Sequence, residues 1–324
     1  MNRGYKSVIM MSFLGLEGCL TAGLSACGEL PPVRFQLGGL QGAENVEFTR
    51  IAAPPEMQIV TFDHEAGAVA KEVLFAGGVA ADAAAAMGFT LSVTSPASVG
   101  LGGGGVCVSR AADGTVKGID FRSARLGRGL FALHAKYGTR PWSSLVVSAE
   151  TLARFGHKVS PALAEDVAKY GGVFITDPNA LAVFMTADRR MIAAGDEWRQ
   201  PRLADSLARL RNPRFMEGTA PASFAPEAKA ASLALSPGST GFAVADKAGA
   251  AVACAFTMGR PFGLGSITRD GGYLFPATSS ADKDLDQLAL GFLACLKRPG
   301  GSDTSQEQTG PRCPAPASTL SLLP

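Results

Sequence analysis

The chain has 324 residues, 47% of them hydrophobic, with 30 Lys and Arg set against 28 Asp and Glu. That is apolar material for one large domain or two ordinary ones. A net charge of +2, with no basic run interleaved with aromatics, argues against nucleic acid as a partner. The three histidines, His64, His134 and His157, neither form H-x-x-x-H nor pair with cysteines at ligand spacing. No metal site and no cofactor are therefore expected.

In chain order, "MNRGYKS" carries Arg3 and Lys6 and leads into the apolar "VIMMSFLGLEGCLTAGLSAC". A basic head before a short apolar run is the layout of a signal peptide. Leu24-Ser25-Ala26-Cys27 resembles a bacterial lipobox, in which the cysteine becomes the lipidated N-terminus, although Glu17 interrupts the apolar run. Residues 1–27 are thus expected to direct export. Cys27 would anchor the protein by lipid in the periplasm or at the outer membrane. A non-lipid export signal and an uncleaved anchor are the alternatives. No other segment reaches the roughly 18 apolar residues needed for a span. Residues 28–56, with Pro31-Pro32 and Pro54-Pro55, read as a tether or irregular arm.

The body starts near Met57. "EAGAVAKEVLFAGG" reads as a helix closed by Gly77-Gly78, and "VAADAAAAMGFTLSV" as a second, Ala-rich helix. The stretch "VCVSRAADGTVKGIDFR" alternates apolar residues around Asp113-Gly114, a hairpin signature. Residues 129–211 read as a series of helices, stopped in turn by Gly138, Gly156 and Gly171. Residues 212–238, rich in Pro, Ala and Ser, read as a linker or surface-crossing loop. "STGFAVADKAGAAVACAFTM" is a second hairpin about Asp246–Gly249. From Pro299 the chain has no periodicity and reads as a disordered tail. Of six cysteines, Cys107 and Cys254 lie inside alternating strand patterns. They are expected to be buried free thiols rather than part of a disulfide framework.

Between the second helix and the first hairpin lies "SPASVGLGGGGVCVSR", in which Gly100, Gly102 and Gly105 spell G-x-G-x-x-G. A dinucleotide loop leaves a strand and opens a helix, so that pyrophosphate rests on the helix N-terminus. Here the order is helix, loop, strand, and nucleotide binding is not expected. A tight turn with close backbone approach is the plain alternative.

The stretch "AGAVAKEVLFAGGVAADAAAAMGFTLSVTSPASVGLGGGGVCV", followed in order by "GIDFRSAR", "GLFALHAKYGTRPWSSLVVSAETLARFGHKVSPALAEDV" and "GDEWRQPRLADSLARL", resembles the large subunit of γ-glutamyltransferases. That resemblance covers residues 57–211. It implies a shortened α/β (α+β) fold, an αββα sandwich of the N-terminal-nucleophile hydrolase type. The implied division is a large-subunit-like region at 57–238 and a small-subunit-like hairpin region at 239–298. The family cuts itself before a Thr that opens a "T-T-H-[FY]-S-V-V-D-K-x-G" strand. In "STGFAVADKAG" the residues Phe242, Asp246, Lys247 and Gly249 match without gaps, which places Ser239 on the nucleophile and Thr240 on the second Thr. Thr257 matches a Thr on the partner strand. The resemblance further implies that Arg122 grips the substrate α-carboxylate and that Gly102, Gly103 and Gly104 form a turn at the substrate mouth. Ser123 replaces the Glu that would orient Arg122.

The chemistry stands without the family. A nucleophilic hydroxyl needs a base near pKa 7, and an α-amine freed by cutting before Ser239 has a pKa of about 7.7–8.0. The plain alternative is an ordinary strand-start Ser after a Pro-Gly turn. Against the family pattern, two losses weigh against catalysis. The middle of the large subunit is shortened, since the helical run stops near Arg211 and Ser239 follows soon after. The small subunit departs further: after "GGYLFPATSSADKD" neither the acidic ammonium-binding segment nor the Ser-Ser and Gly-Gly pairs of the oxyanion hole are recognisable. Three readings stay open. The first is an exported hydrolase or transferase acting on γ-glutamyl groups of glutathione-type substrates. The second is a catalytically dead relative serving as a binding or structural subunit, with a protein partner completing the truncated sheet. The third is a fragment that does not fold alone.

Overall fold

A computed structural model describes residues 57–216, 221–226, 236–277 and 284–296. The export signal with Cys27, the tether and the tail after Pro299 lie outside the described residues. Six strands form one antiparallel sheet: β1 (Gln58–Thr61), β2 (Gly104–Arg110), β3 (Val116–Asp120), β6 (Ala222–Phe224), β7 (Ser239–Ala245) and β8 (Ala251–Thr257), in the order β1-β7-β8-β2-β3-β6. The two hairpins read from the sequence are β2–β3 and β7–β8. They pair through β8 and β2 at the centre of the sheet. Strands from both sides of position 239 therefore interleave, so the 238/239 boundary is not a boundary of the fold.

One sheet face carries the helices α1 (His64–Phe75), α2 (Ala80–Thr94), α3 (Leu126–Tyr137), α4 (Trp142–Phe155) and α7 (Pro201–Leu210), packed with Cys107, Phe242, Val244, Val252, Cys254 and Phe256. All fifteen residues of α2 are buried. Its run of alanines lets neighbours close in from every side, where a helix with one apolar stripe could not be enclosed. The opposite face presents Ala243, Ala245, Ala251, Ala253 and Ala255 to α8 (Leu285–Ala294). The α+β class holds. Its truncation shows as a missing layer, because among the described residues α8 lies where an αββα sandwich has its second sheet. A third apolar cluster around Phe174, Phe184, Trp198 and Phe262 holds α5 (Pro161–Tyr170), α6 (Pro178–Val183) and the two-residue strands β4 (His157–Lys158) and β5 (Glu197–Trp198).

Three readings are corrected. Cys107 and Cys254 form a disulfide. Although 147 residues apart in sequence, they face each other across β2 and β8, with their Cα atoms 4.1 Å apart. Cys295 is disulfide-bonded as well. The stretch read as a linker contributes β6, an edge strand on β3. The helix expected over "NALAVFMTADR" stops at Val183, because Thr186 and Arg190 close a turn in which Arg189 takes φ 61°. The helix α8 went unread, as did the short strands β1, β4 and β5.

Two buried carboxyls fasten the helix layer. Asp82 accepts from the backbone N–H groups of Val79, Thr139 and Arg140 and from the Thr139 hydroxyl. Asp246, in the β7–β8 turn, accepts from the N–H of Ala80 at 2.9 Å and so caps α2 from 166 residues away. His157 is buried against Trp198. Burial pushes its pKa below the ordinary 6.5, only partly offset by the Leu152 backbone and the acids Asp63, Glu65 and Glu197. Between pH 6.5 and that lowered value the unfolded chain binds a proton that the folded chain refuses, so stability falls as pH falls. Urea midpoints are expected to decline through this window. His157→Phe should flatten that part of the profile, and an unchanged slope would show that another group governs it.

Candidate active site

The candidate site begins with a turn. Ser239 N–H donates to Ser236 O at 2.9 Å, closing a four-residue turn with Pro237 and Gly238 at its centre. Gly238 has φ +85°, the value a type II turn demands at its third residue. A Cβ on Gly238 would also lie 2.3 Å from the Arg260 carbonyl carbon. The turn delivers Ser239 to the first position of β7, directly opposite Thr257 on β8. Ser239 Oγ donates to Thr257 Oγ1 at 3.1 Å, and both residues are buried. Gly259 N–H donates to the same Thr257 oxygen at 2.8 Å, leaving the Thr257 hydroxyl proton directed to Gly238 O at 3.4 Å. Met258 N–H donates to that same carbonyl at 2.9 Å. The Gly238–Ser239 peptide bond thus has a hydroxyl on its C-terminal side and two donors on its carbonyl oxygen.

Alternation along β7 puts Ser239 and Thr240 on opposite faces. Ser239 shares the α8 face with Gly241 and Ala243, whereas Thr240 lies on the face of Phe242 and the helix layer. The structure unites Ser239 with Thr257 and leaves Thr240 apart.

The glycine loop runs from the end of α2 into β2, in the order helix, loop, strand. Gly104 pairs with Thr257 on the side of β8 away from Ser239. The run Ser239, Thr257, Gly104 therefore crosses three strands, roughly 10 Å at ordinary strand spacing. A Cβ on Gly104 would sit 2.4 Å from Arg122 O, on Gly103 2.9 Å from Thr257 O, and on Gly102 2.7 Å from Leu274 O. All three obstacles are backbone, which cannot swing aside. Gly104→Ala is expected to cost about 2 kcal/mol or more by overpacking, read as a lowered urea midpoint; an unshifted midpoint would contradict the close approach.

Arg122 follows β3, its backbone stacked on Gly104. Its Nε donates to both Asp120 carboxyl oxygens, at 3.1 and 3.0 Å, and its N–H meets Oδ1 at 3.0 Å. Partial burial pushes the Asp120 carboxyl up, but the bonds from Arg122 outweigh it and hold the pKa below the usual carboxylate range. Asp120, which the sequence reading passed over, thus orients the guanidinium in place of the Glu that Ser123 replaces. The signal available was the i, i+2 pair in "DFR" itself. Asp120, Arg122, Ser123 and Arg128 line one cleft beside β6.

The sequence profile described as gamma-glutamyltranspeptidase matches residues 66–124 and 126–218. Over these residues, just under half of its length, the chain matches the γ-glutamyltranspeptidase family. It is 32% identical over 223 residues to the glutathione hydrolase proenzyme of Escherichia coli (strain K12), covering 58% of this chain and 37% of that one. It is 28% identical over 198 residues to glutathione hydrolase 2 of Arabidopsis thaliana, covering 53% and 34%. The chain thus spans about a third of the length of these curated relatives. Among solved structures, the cephalosporin acylase of Bacillus halodurans superposes with a TM-score of 0.59 at 15% identity, covering 83% of this chain and 76% of the acylase. That likeness carries the fold. The γ-glutamyltranspeptidase profile ends at residue 218, before the Ser239 turn, so the geometry of that turn is evidence of a separate kind.

Proposed function

We propose that the protein is a proenzyme that cuts itself at Gly238–Ser239 and then acts on γ-glutamyl compounds of the glutathione type with Ser239 as nucleophile. The observation that carries this reading is the hydrogen-bonded run Ser239 Oγ, Thr257 Oγ1, Gly238 O, with Met258 N–H on the same carbonyl. In the cut, Ser239 Oγ bonds to the Gly238 carbonyl carbon, the C–N bond breaks, and the hydroxyl proton ends on the new amine. Water then hydrolyses the ester, leaving a Gly238 carboxylate and a free Ser239. The two donors on Gly238 O stand where negative charge develops in the tetrahedral intermediate, the position from which such donors act most strongly. The freed α-amine, with a pKa of about 7.7–8.0, then serves as base for the hydroxyl. Arg122, steadied by Asp120, meets the substrate carboxylate through a guanidinium fork.

The same reading takes residues 1–27 as an export signal with Cys27 as lipid anchor. Two disulfide-bonded sites, Cys107–Cys254 and Cys295, agree with an oxidising compartment. The alternative, a binding or structural subunit, is favoured by one feature. The Arg122 fork is already engaged by Asp120, as a guanidinium retired from substrate binding would be. The deciding experiment is the reduced intact mass of protein purified from its own membranes, together with turnover of a γ-glutamyl anilide. Two pieces, the smaller beginning at Ser239, with measurable turnover would support the enzyme. A single uncut chain without turnover would overturn it in favour of the subunit.

A further inference from the structure

A second cleft, of about 470 Å³, opens beside the glycine loop, and the chemistry above does not use it. Arg125 and Arg128 at the start of α3, Arg209 in the last turn of α7 and Arg269 in the segment after β8 line it. Among the described residues that line it, Asp270 is the one carboxylate, so the cleft carries +3 in a chain whose net charge is +2. None of these four guanidinium groups bonds to another described residue. Elsewhere Arg122, Arg154, Arg190 and Arg211 are all paired with carboxylates. The first turn of α3 holds no acidic residue and instead carries Arg128, with Arg125 at the N-cap, where the helix dipole is already positive. Charge gathered against its own repulsion in a concave site is the footprint of an anion. Ser206 and Thr268 add hydroxyls to the wall, and its apolar part includes Phe215 and Phe275, which are 58% and 43% exposed.

We infer that this cleft binds a small organic molecule carrying two or more negative charges, carboxylate or phosphate, on an apolar body. The charged groups meet the arginine forks and the body lies on Phe215 and Phe275. Arg128 also lines the cleft of Arg122, so the two sites adjoin. Neither Ser239 nor Thr257 lines the cleft, and binding does not depend on the cut.

Calorimetry on the full-length chain tests this with isophthalate, phenyl phosphate and malonate. Isophthalate or phenyl phosphate should bind saturably, the tighter one naming the charged group. Malonate, a dianion without a ring, should bind about tenfold more weakly or worse. R209Q/R269Q alters two exposed side chains and should weaken the tighter ligand by about tenfold or more. R110Q/R199Q, outside the cleft, should leave it unchanged. Three results would each overturn the inference: no saturable binding by about 10 mM, malonate bound as tightly as the ring compounds, or equal loss in both double variants.

Discussion

A chain carrying Ser239→Ala is expected to stay in one piece and to lose γ-glutamyl turnover by about 10³-fold or more. The methyl group keeps the β7 register and the Gly238 turn but removes the oxygen that would attack the Gly238 carbonyl. Ser239→Thr keeps that oxygen, and the turn leaves its geometry to Gly238, so cutting should survive. The pair separates chemistry from folding, because alanine and threonine both suit a strand start next to Thr257. Cutting in Ser239→Ala at the wild-type rate would place the nucleophile elsewhere.

Asp246→Ala is expected to lower stability by about 3 kcal/mol. The Asp246 carboxyl is buried and accepts from Ala248 and Ala250 within its own turn and from Ala80 at the start of α2. Alanine leaves the buried Ala80 N–H without its acceptor, which costs about 1–3 kcal/mol, and also removes the turn bonds to the exposed Ala248 and half-buried Ala250. Asp246→Asn keeps one side-chain oxygen and should recover part of the loss. The measurement is the urea midpoint at constant slope. An effect under about 0.5 kcal/mol, the size of an ordinary surface substitution, would show that Ala80 finds another acceptor.

Local patterns carried much of this structure and long-range pairing carried the rest. Alternation and turn residues marked both hairpins, and Pro237-Gly238 marked the turn before Ser239. No local pattern states that β2 lies beside β8, so the Cys107–Cys254 bond was read as two free thiols. The short strand β1 has too few residues to show a period, and α8 was overlooked beside the hairpin before it. At the site, the β7–β8 register sets Thr257 opposite Ser239. Alternation along β7 removed Thr240 from the same face, a consequence already present in the spacing. The arginines of the second cleft come from three separate stretches of chain. Each looks like a surface charge alone, and only the fold gathers them around one cleft.

The Cys107–Cys254 bond has a consequence for what a cut at Gly238–Ser239 would produce. One cysteine precedes the cut and the other follows it, on strands that are neighbours in the sheet. The two pieces would leave the reaction as a covalently joined heterodimer, one water heavier than the precursor and running as a single band until a reductant is added. Subunit exchange between molecules would be barred, every mature particle would keep its original pairing, and dilution could not separate the halves.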